Sequence, residues 1–112
     1  MMPYSFGDIV LVDFPFSDSS SAKRRPALVI SHDSEDDILL ARITSKPKES
    51  SFDVKLTDWK ESKLLFPSTM RIGKLATLSV KLVKAKIGEL SKKDQTDVIE
   101  AFERLVASIK GN

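Results

Sequence analysis

Lys23-Arg24-Arg25-Pro26-Ala27-Leu28-Val29-Ile30 takes three cations and a proline straight into an unbroken apolar run. That run is short and rich in branched side chains, so residues 27–31 read as a buried strand. Arg25 precedes a proline, which drives its backbone toward extended geometry and lets the strand aim its side chain. A guanidinium fixed at the mouth of a rigid element can hold phosphate through two parallel N–H donors. The same cations can equally be solvated turn residues, and the stretch alone leaves both readings open.

Working outward, Gly7-Asp8 is a turn-like start to a strand over residues 9–14, and Pro15 with the serine-rich residues 17–21 breaks it. The acidic patch 33–37 reads as a loop and residues 38–44 as a third strand, ended by Lys46-Pro47-Lys48. Residues 52–56 and 69–75 alternate at period two, as do residues 79–87 with one slip. Between them, residues 58–62 suit one helical turn, with Trp59 as a core plug or a stacking platform.

The period then changes. Val98, Ile99, Phe102, Leu105, Val106 and Ile109 share one face at helical spacing. Ser91 with Asp94 resembles a capping box, and Lys110-Gly111 a stop. The pattern predicts a mainly β fold, a small and strongly curved antiparallel sheet or barrel, closed by a C-terminal helix.

Composition narrows the chemistry. At 112 residues, one domain over residues 1–112 is expected. Eighteen basic and sixteen acidic residues leave a net charge of +2, too small by itself to indicate a nucleic-acid partner. There is no cysteine, which removes disulfides, thiolate nucleophiles and thiolate metal sites. The one histidine, His32, reads as a surface loop residue and cannot build a two-histidine acid–base pair or a metal cluster. No metal and no cofactor are expected. Apolar runs are too short to cross a bilayer and no leader pattern opens the chain, so no membrane association and a cytoplasmic location are expected.

Three groups of residues could carry chemistry. Arg25 is the first. Thr44-Ser45, at a strand end, is the second: a hydroxyl there can donate to a phosphate oxygen, or simply close a local turn. Residues 71–93 are the third, with seven basic side chains, Arg71 and Lys74 among them, and one acid, Glu89. That imbalance suits a basic stripe or a lysine-protected sheet edge.

The order of these features resembles the MazF/PemK-type toxins of type II toxin–antitoxin systems. The similarity runs from the stretch beginning Gly7-Asp8 through Lys23 to Ser31, then Ala41-Arg42-Ile43-Thr44-Ser45, Leu56 to Ser68, and Met70 to Leu78. It implies an SH3-like small barrel of the CcdB/MazF type with a C-terminal helix, working as a homodimer. It also implies sequence-specific, metal-independent cleavage of single-stranded messenger RNA, and a cognate antitoxin with an acidic, partly disordered segment. The catalytic pair carries over to Arg25 and Thr44, with Ser45 as a second hydroxyl. The loop between the first two strands, residues 16–24, would border the RNA groove, making Phe16, Ser17, Lys23 and Arg24 RNA-binding residues. Arg71 and Lys74 would extend the basic side.

Such cleavage uses the neighbouring 2′-hydroxyl as nucleophile and leaves 2′,3′-cyclic phosphate and 5′-hydroxyl ends. Some relatives place an acid two residues after the arginine corresponding to Arg71, as a proposed base; here that position is Gly73. Asp13 and Asp58 are possible substitutes. Gly73 also suits a non-catalytic RNA-binding or regulatory barrel. A CcdB-like gyrase-binding toxin is a further alternative, disfavoured because Ser108-Ile109-Lys110-Gly111-Asn112 carries no tryptophan.

Overall fold

The computed structural model describes residues 2–15, 23–46 and 50–111. Six strands form one antiparallel sheet: β1 (Asp8–Phe14), β2 (Lys23–Ser31), β3 (Asp37–Thr44), β4 (Asp53–Leu56), β5 (Ser68–Ser79) and β6 (Val83–Glu89). Helix α1 (Lys92–Gly111) follows. The sheet order is β4-β5-β3-β2-β1-β6. The expected mainly β class with a C-terminal helix is observed, but the sheet is not closed: β4 and β6 are its two edges. Register shifts in the β1–β6, β2–β3 and β3–β5 ladders supply the bends that a curved sheet needs.

Each face of the sheet carries its own apolar cluster. Ile9, Leu28, Ile43, Met70 and Ile72 belong to one, which α1 covers through Val98 and Ala101, with Phe102, Leu105 and Trp59 packed against it. Val10, Val12, Phe14, Ala27, Val29, Ile38 and Leu40 form the other. Each fully buried aliphatic side chain contributes roughly 1.5–3 kcal/mol, so the two clusters dominate stability.

Several boundaries differ from expectation for identifiable reasons. β2 begins at Lys23 instead of Ala27, because β1 is long enough to pair with it: Lys23 faces Phe14, Arg24 faces Asp13 and Arg25 faces Val12. β5 runs on to Ser79, and the slip in the last alternating segment is a 3-10 turn, Val80–Leu82, in which the Ser79 hydroxyl accepts from the Lys81 N–H at 3.2 Å. His32 is buried, not a surface residue; its ring lies 5.6 Å from that of Tyr4.

The apolar helix positions divide into two neighbouring stripes. Asp94, Val98 and Ala101 are buried, whereas Ile99, Val106 and Ile109 remain exposed.

Asp94 does more than open the helix. Its N–H donates to the Ser91 hydroxyl at 3.1 Å, the expected N-terminal cap. Its fully buried carboxylate reaches sideways instead of back to Ser91. It accepts from the Thr57 N–H and hydroxyl, both at 3.1 Å, and from the Asp58 N–H at 3.0 Å. The turn after β4 is thereby fastened to α1. Gly88 makes a second fastening possible, since a Cβ there would run into the backbone carbonyl of Ser62.

Asp94→Ala would strand two backbone N–H groups away from water, at about 1–3 kcal/mol each. Urea unfolding should therefore show a stability loss of about 3 kcal/mol with an unchanged denaturant slope; a loss below about 1 kcal/mol would mean the tether is not structural.

Candidate functional site

Pro26 has no N–H to place in a ladder, and it sits where β2 has only one neighbour. The β2–β3 pairing runs through Ala27↔Arg42 and stops there, while β1 continues to pair beyond Pro26. Proline is tolerated at such a place because no ladder bond to β3 is lost. Continuing the register two residues further sets Arg25 opposite Thr44, on the side of the sheet that carries Ala27 and Leu40. The strands have parted there, and the gap between them is a cleft of roughly 450 Å³.

Its walls are Arg25, Pro26, Arg42, Ile43, Thr44, Ser45, Lys46, Arg71 and Lys74. Five of these nine described residues are cations and none is acidic, so the lining is strongly cationic. Arg71 and Lys74 are three apart on one strand and would ordinarily face opposite ways. The β3–β5 ladder resolves this. Ala41 pairs with Leu75 and Arg42 with Arg71, so one step along β3 spans four along β5. The extra residues form a bulge that turns Lys74 into the same cleft as Arg71.

The ladder also sets Arg42 directly beside Arg71. Like charges in that position repel, by roughly 0.2–1 kcal/mol. Two neighbours offset the repulsion. Arg42 lies over the Phe14 ring, 5.8 Å from its centroid. Asp53, opposite Arg71 on β4, places Oδ2 3.5 Å from the Arg71 Nε. The Asp53 side chain is only 5% exposed and that of Arg71 21%, so the pair is shielded from solvent. Neither atom has a hydrogen-bond partner, so the contact is an ion pair rather than a hydrogen bond.

At the cleft's end the Thr44 Oγ1 accepts from the Lys46 N–H at 3.1 Å. The local turn anticipated for this hydroxyl is present. Because that bond uses an oxygen lone pair, the hydroxyl proton remains available to an anion in the cleft.

The structure brings together Arg25, Thr44, Ser45, Arg71 and Lys74. Arg24 points to the other face by strand alternation and is bound to Asp13, with Nε–Oδ1 at 2.9 Å and Lys84 3.8 Å from the same carboxylate. The hydrogen bond from Arg24 holds the Asp13 carboxyl below its ordinary range. Lys23 is exposed and does not line the cleft. Phe16 and Ser17 lie outside the described residues.

Neither suggested acid lines the cleft. Asp13 serves Arg24, and Asp58 sits in the turn tied to Asp94. Residues 71–93 do not form one basic stripe either. Lys84 and Lys86 stand on the β6 edge, where Lys86 reaches Asp8 at 3.2 Å and Glu89 at 2.8 Å. Lys93 pairs with Asp97 at 2.9 Å on the helix.

Sequence reading overlooked Arg42, Lys46 and Asp53. Arg42 had an available signal, since it stands two residues before Thr44 and shares its face. Asp53 had none without the β4–β5 register.

No curated protein matches the chain in sequence. Among solved structures, an endoribonuclease in complex with its cognate antitoxin, from a mycobacterial species, superposes with a TM-score of 0.74 at 14% identity, over 93% of this chain and 95% of that one. The Mycobacterium tuberculosis toxin MazF-mt6 gives 0.73 at 19% identity, over 89% and 96%. MazF from Deinococcus radiodurans gives 0.68 at 18% identity, over 96% and 98%. At such identities the likeness shows a shared fold. The sequence model of the PemK-like, MazF-like toxins of type II toxin–antitoxin systems matches residues 5–106, nearly the whole chain and every element that shapes the cleft, and the chain belongs to that family.

Proposed function

We propose that the protein is a toxin endoribonuclease that cuts single-stranded RNA in the cationic cleft. The observation that supports this most directly is the opposition of Arg25 and Thr44 across a gap walled, among the described residues, by four further cations and no acid. RNA contributes a phosphate to that gap. Its neighbouring 2′-hydroxyl attacks phosphorus and loses its proton, the bond to the 5′-oxygen breaks, and that oxygen gains a proton. The products are a 2′,3′-cyclic phosphate and a 5′-hydroxyl.

Arg25 stabilises the negative charge that builds on the pentacoordinate phosphorus and on the leaving oxygen, and the Thr44 hydroxyl donates to a non-bridging oxygen. Ser45 is a second hydroxyl at the same strand end. A guanidinium holds its proton and is a poor base, so the 2′-hydroxyl is activated by position and by the field of the cleft. The cations supply the electrostatic stabilisation that a metal ion would otherwise provide.

Incubation with mixed-sequence RNA in EDTA should therefore yield cyclic-phosphate ends. Arg25→Ala should slow this about a hundred- to a thousandfold, the usual cost of one preorganised donor. Tight RNA binding by the wild type without cleavage would instead favour the regulatory barrel that Gly73 admits.

Charge in the cleft sets affinity and its salt dependence. Each phosphate neutralised on a single strand contributes about 0.7 to the slope of log affinity against log salt. Lys74→Gln should lower that slope by about 0.7, whatever the RNA sequence. Asp53→Asn should raise it by a similar amount, because Arg71 loses its counter-charge. An acidic, partly disordered antitoxin segment docking on Arg71 and Lys74 should follow the same order across a salt titration. Unchanged slopes for both ligands would remove the cleft from the binding surface.

The proposed homodimer would use the exposed helix stripe of Ile99, Val106 and Ile109, which are 49%, 51% and 75% exposed. Ile109→Glu should then sediment as a monomer at concentrations where the wild type is a dimer; a dimer unaffected by it would place the seam elsewhere. Both ligands act in the cytoplasm, where we place the protein.

A further inference from the structure

A second groove opens beside the cationic cleft. It is about 250 Å³ and shares Arg25, Pro26 and Ser45 with the cleft. Its character is different. Leu11, Pro26 and Ile87 form apolar walls, and the turn between β4 and β5 contributes Leu64, Leu65 and Phe66. Two cations, Arg25 and Lys63, stand on its rim.

The turn is built to hold this position. The Ser62 N–H donates to the Asp58 carbonyl, the Leu64 N–H to the Trp59 carbonyl, and the Ser68 hydroxyl to the Phe66 carbonyl at 2.7 Å. Lys63 takes a left-handed conformation, with φ of 69°, to reverse the chain. Leu64 is anchored in the core, and the next two side chains point outward, with Leu65 83% and Phe66 61% exposed. An aromatic ring 61% exposed at the end of a pinned turn presents most of its surface to a ligand.

We propose that this groove is a nucleobase subsite: the base next to the phosphate held at Arg25 enters it and stacks on Phe66, with Pro26, Leu11 and Ile87 behind. The inference rests on the single-stranded RNA reading above. Continuity with the cleft favours RNA over a protein partner, because one nucleotide offers an anion and a flat apolar face at the spacing of two adjoining sites. Aromatic faces beside cations are how single strands are bound without regard to sequence. Among the described residues, the polar side chains that line it are the hydroxyls of Ser45 and Ser68 and the two cations, with no carboxylate or side-chain amide to read a base edge. The groove therefore adds affinity and fixes the register of the strand rather than selecting one base.

The test uses the full chain and mixed-sequence oligonucleotides with 2′-fluoro sugars, which lack the nucleophile and stay intact. Phe66→Ala should raise Kd about 5- to 150-fold, with an unchanged urea midpoint, and Phe66→Trp should bind like the wild type. A single abasic nucleotide moved along the strand should, at one position, weaken the wild type by the same factor and leave Phe66→Ala unaffected.

If RNA affinity depends on Lys74 but not on Phe66, or if every abasic position adds to the Phe66→Ala loss, the subsite is wrong and the cleft reading stands. If Phe66→Ala alters sedimentation without altering RNA affinity, the groove is a protein interface and the inference falls. Failure of the wild type to bind RNA overturns both proposals.

Discussion

Pro26 stands in β2, inside a six-stranded sheet, and cannot donate a backbone hydrogen bond. The sheet accommodates it by ending the β2–β3 ladder at Ala27↔Arg42. Everything proposed for function follows from that parting. Two strands that would have zipped to their ends diverge, and the residues that would have met across the ladder, Arg25 and Thr44, face a gap large enough for an anion. Proline also restricts the arginine before it, so the element that opens the cleft aims its first cation.

A gap lined with five cations is costly to fold, because each charge repels the next. The surrounding framework shows how that cost is met without neutralising the site. Arg42 rests on the Phe14 ring, a contact that draws on the ring's quadrupole. Asp53 balances Arg71 from the neighbouring strand, in line with the ladder rather than inside the cleft. Its carboxylate does not line the cavity. Arg24, one residue from Arg25, is bound to Asp13 on the far face and does not line the cleft. Alternation along one strand thus sends two neighbouring arginines to opposite faces of the sheet.

The strands and the terminal helix were legible because each rests on local periodicity, and the Arg25-Pro26 pair because proline constrains its neighbour. What the sequence left hidden depends on register. The bulge that carries Lys74 round beside Arg71 is a property of two strands, and so is the pairing of Asp53 with Arg71. Burial of His32 needed Tyr4, twenty-eight residues away, to come alongside. The apolar helix positions looked like one face because Ile99 and Val106 border the buried stripe; only the packing of α1 against β4 and β5 separates them. Asp94 was readable as a cap residue, but its longer-range role was not.

That longer-range role connects the core to the chemistry. The turn bearing Leu65 and Phe66 emerges from β4 at Thr57 and Asp58, whose N–H groups both end on the Asp94 carboxylate. Four residues later its backbone presses on β6 at Gly88, where no larger residue fits. The turn is held on one side by the helix and on the other by an edge strand. The apolar groove adjoins the cationic cleft, because Arg25, Pro26 and Ser45 line both. The proposed base subsite can serve the proposed phosphate site only if their separation matches one nucleotide. A buried carboxylate and a missing side chain, both remote from the cleft, fasten the turn that carries that apolar face.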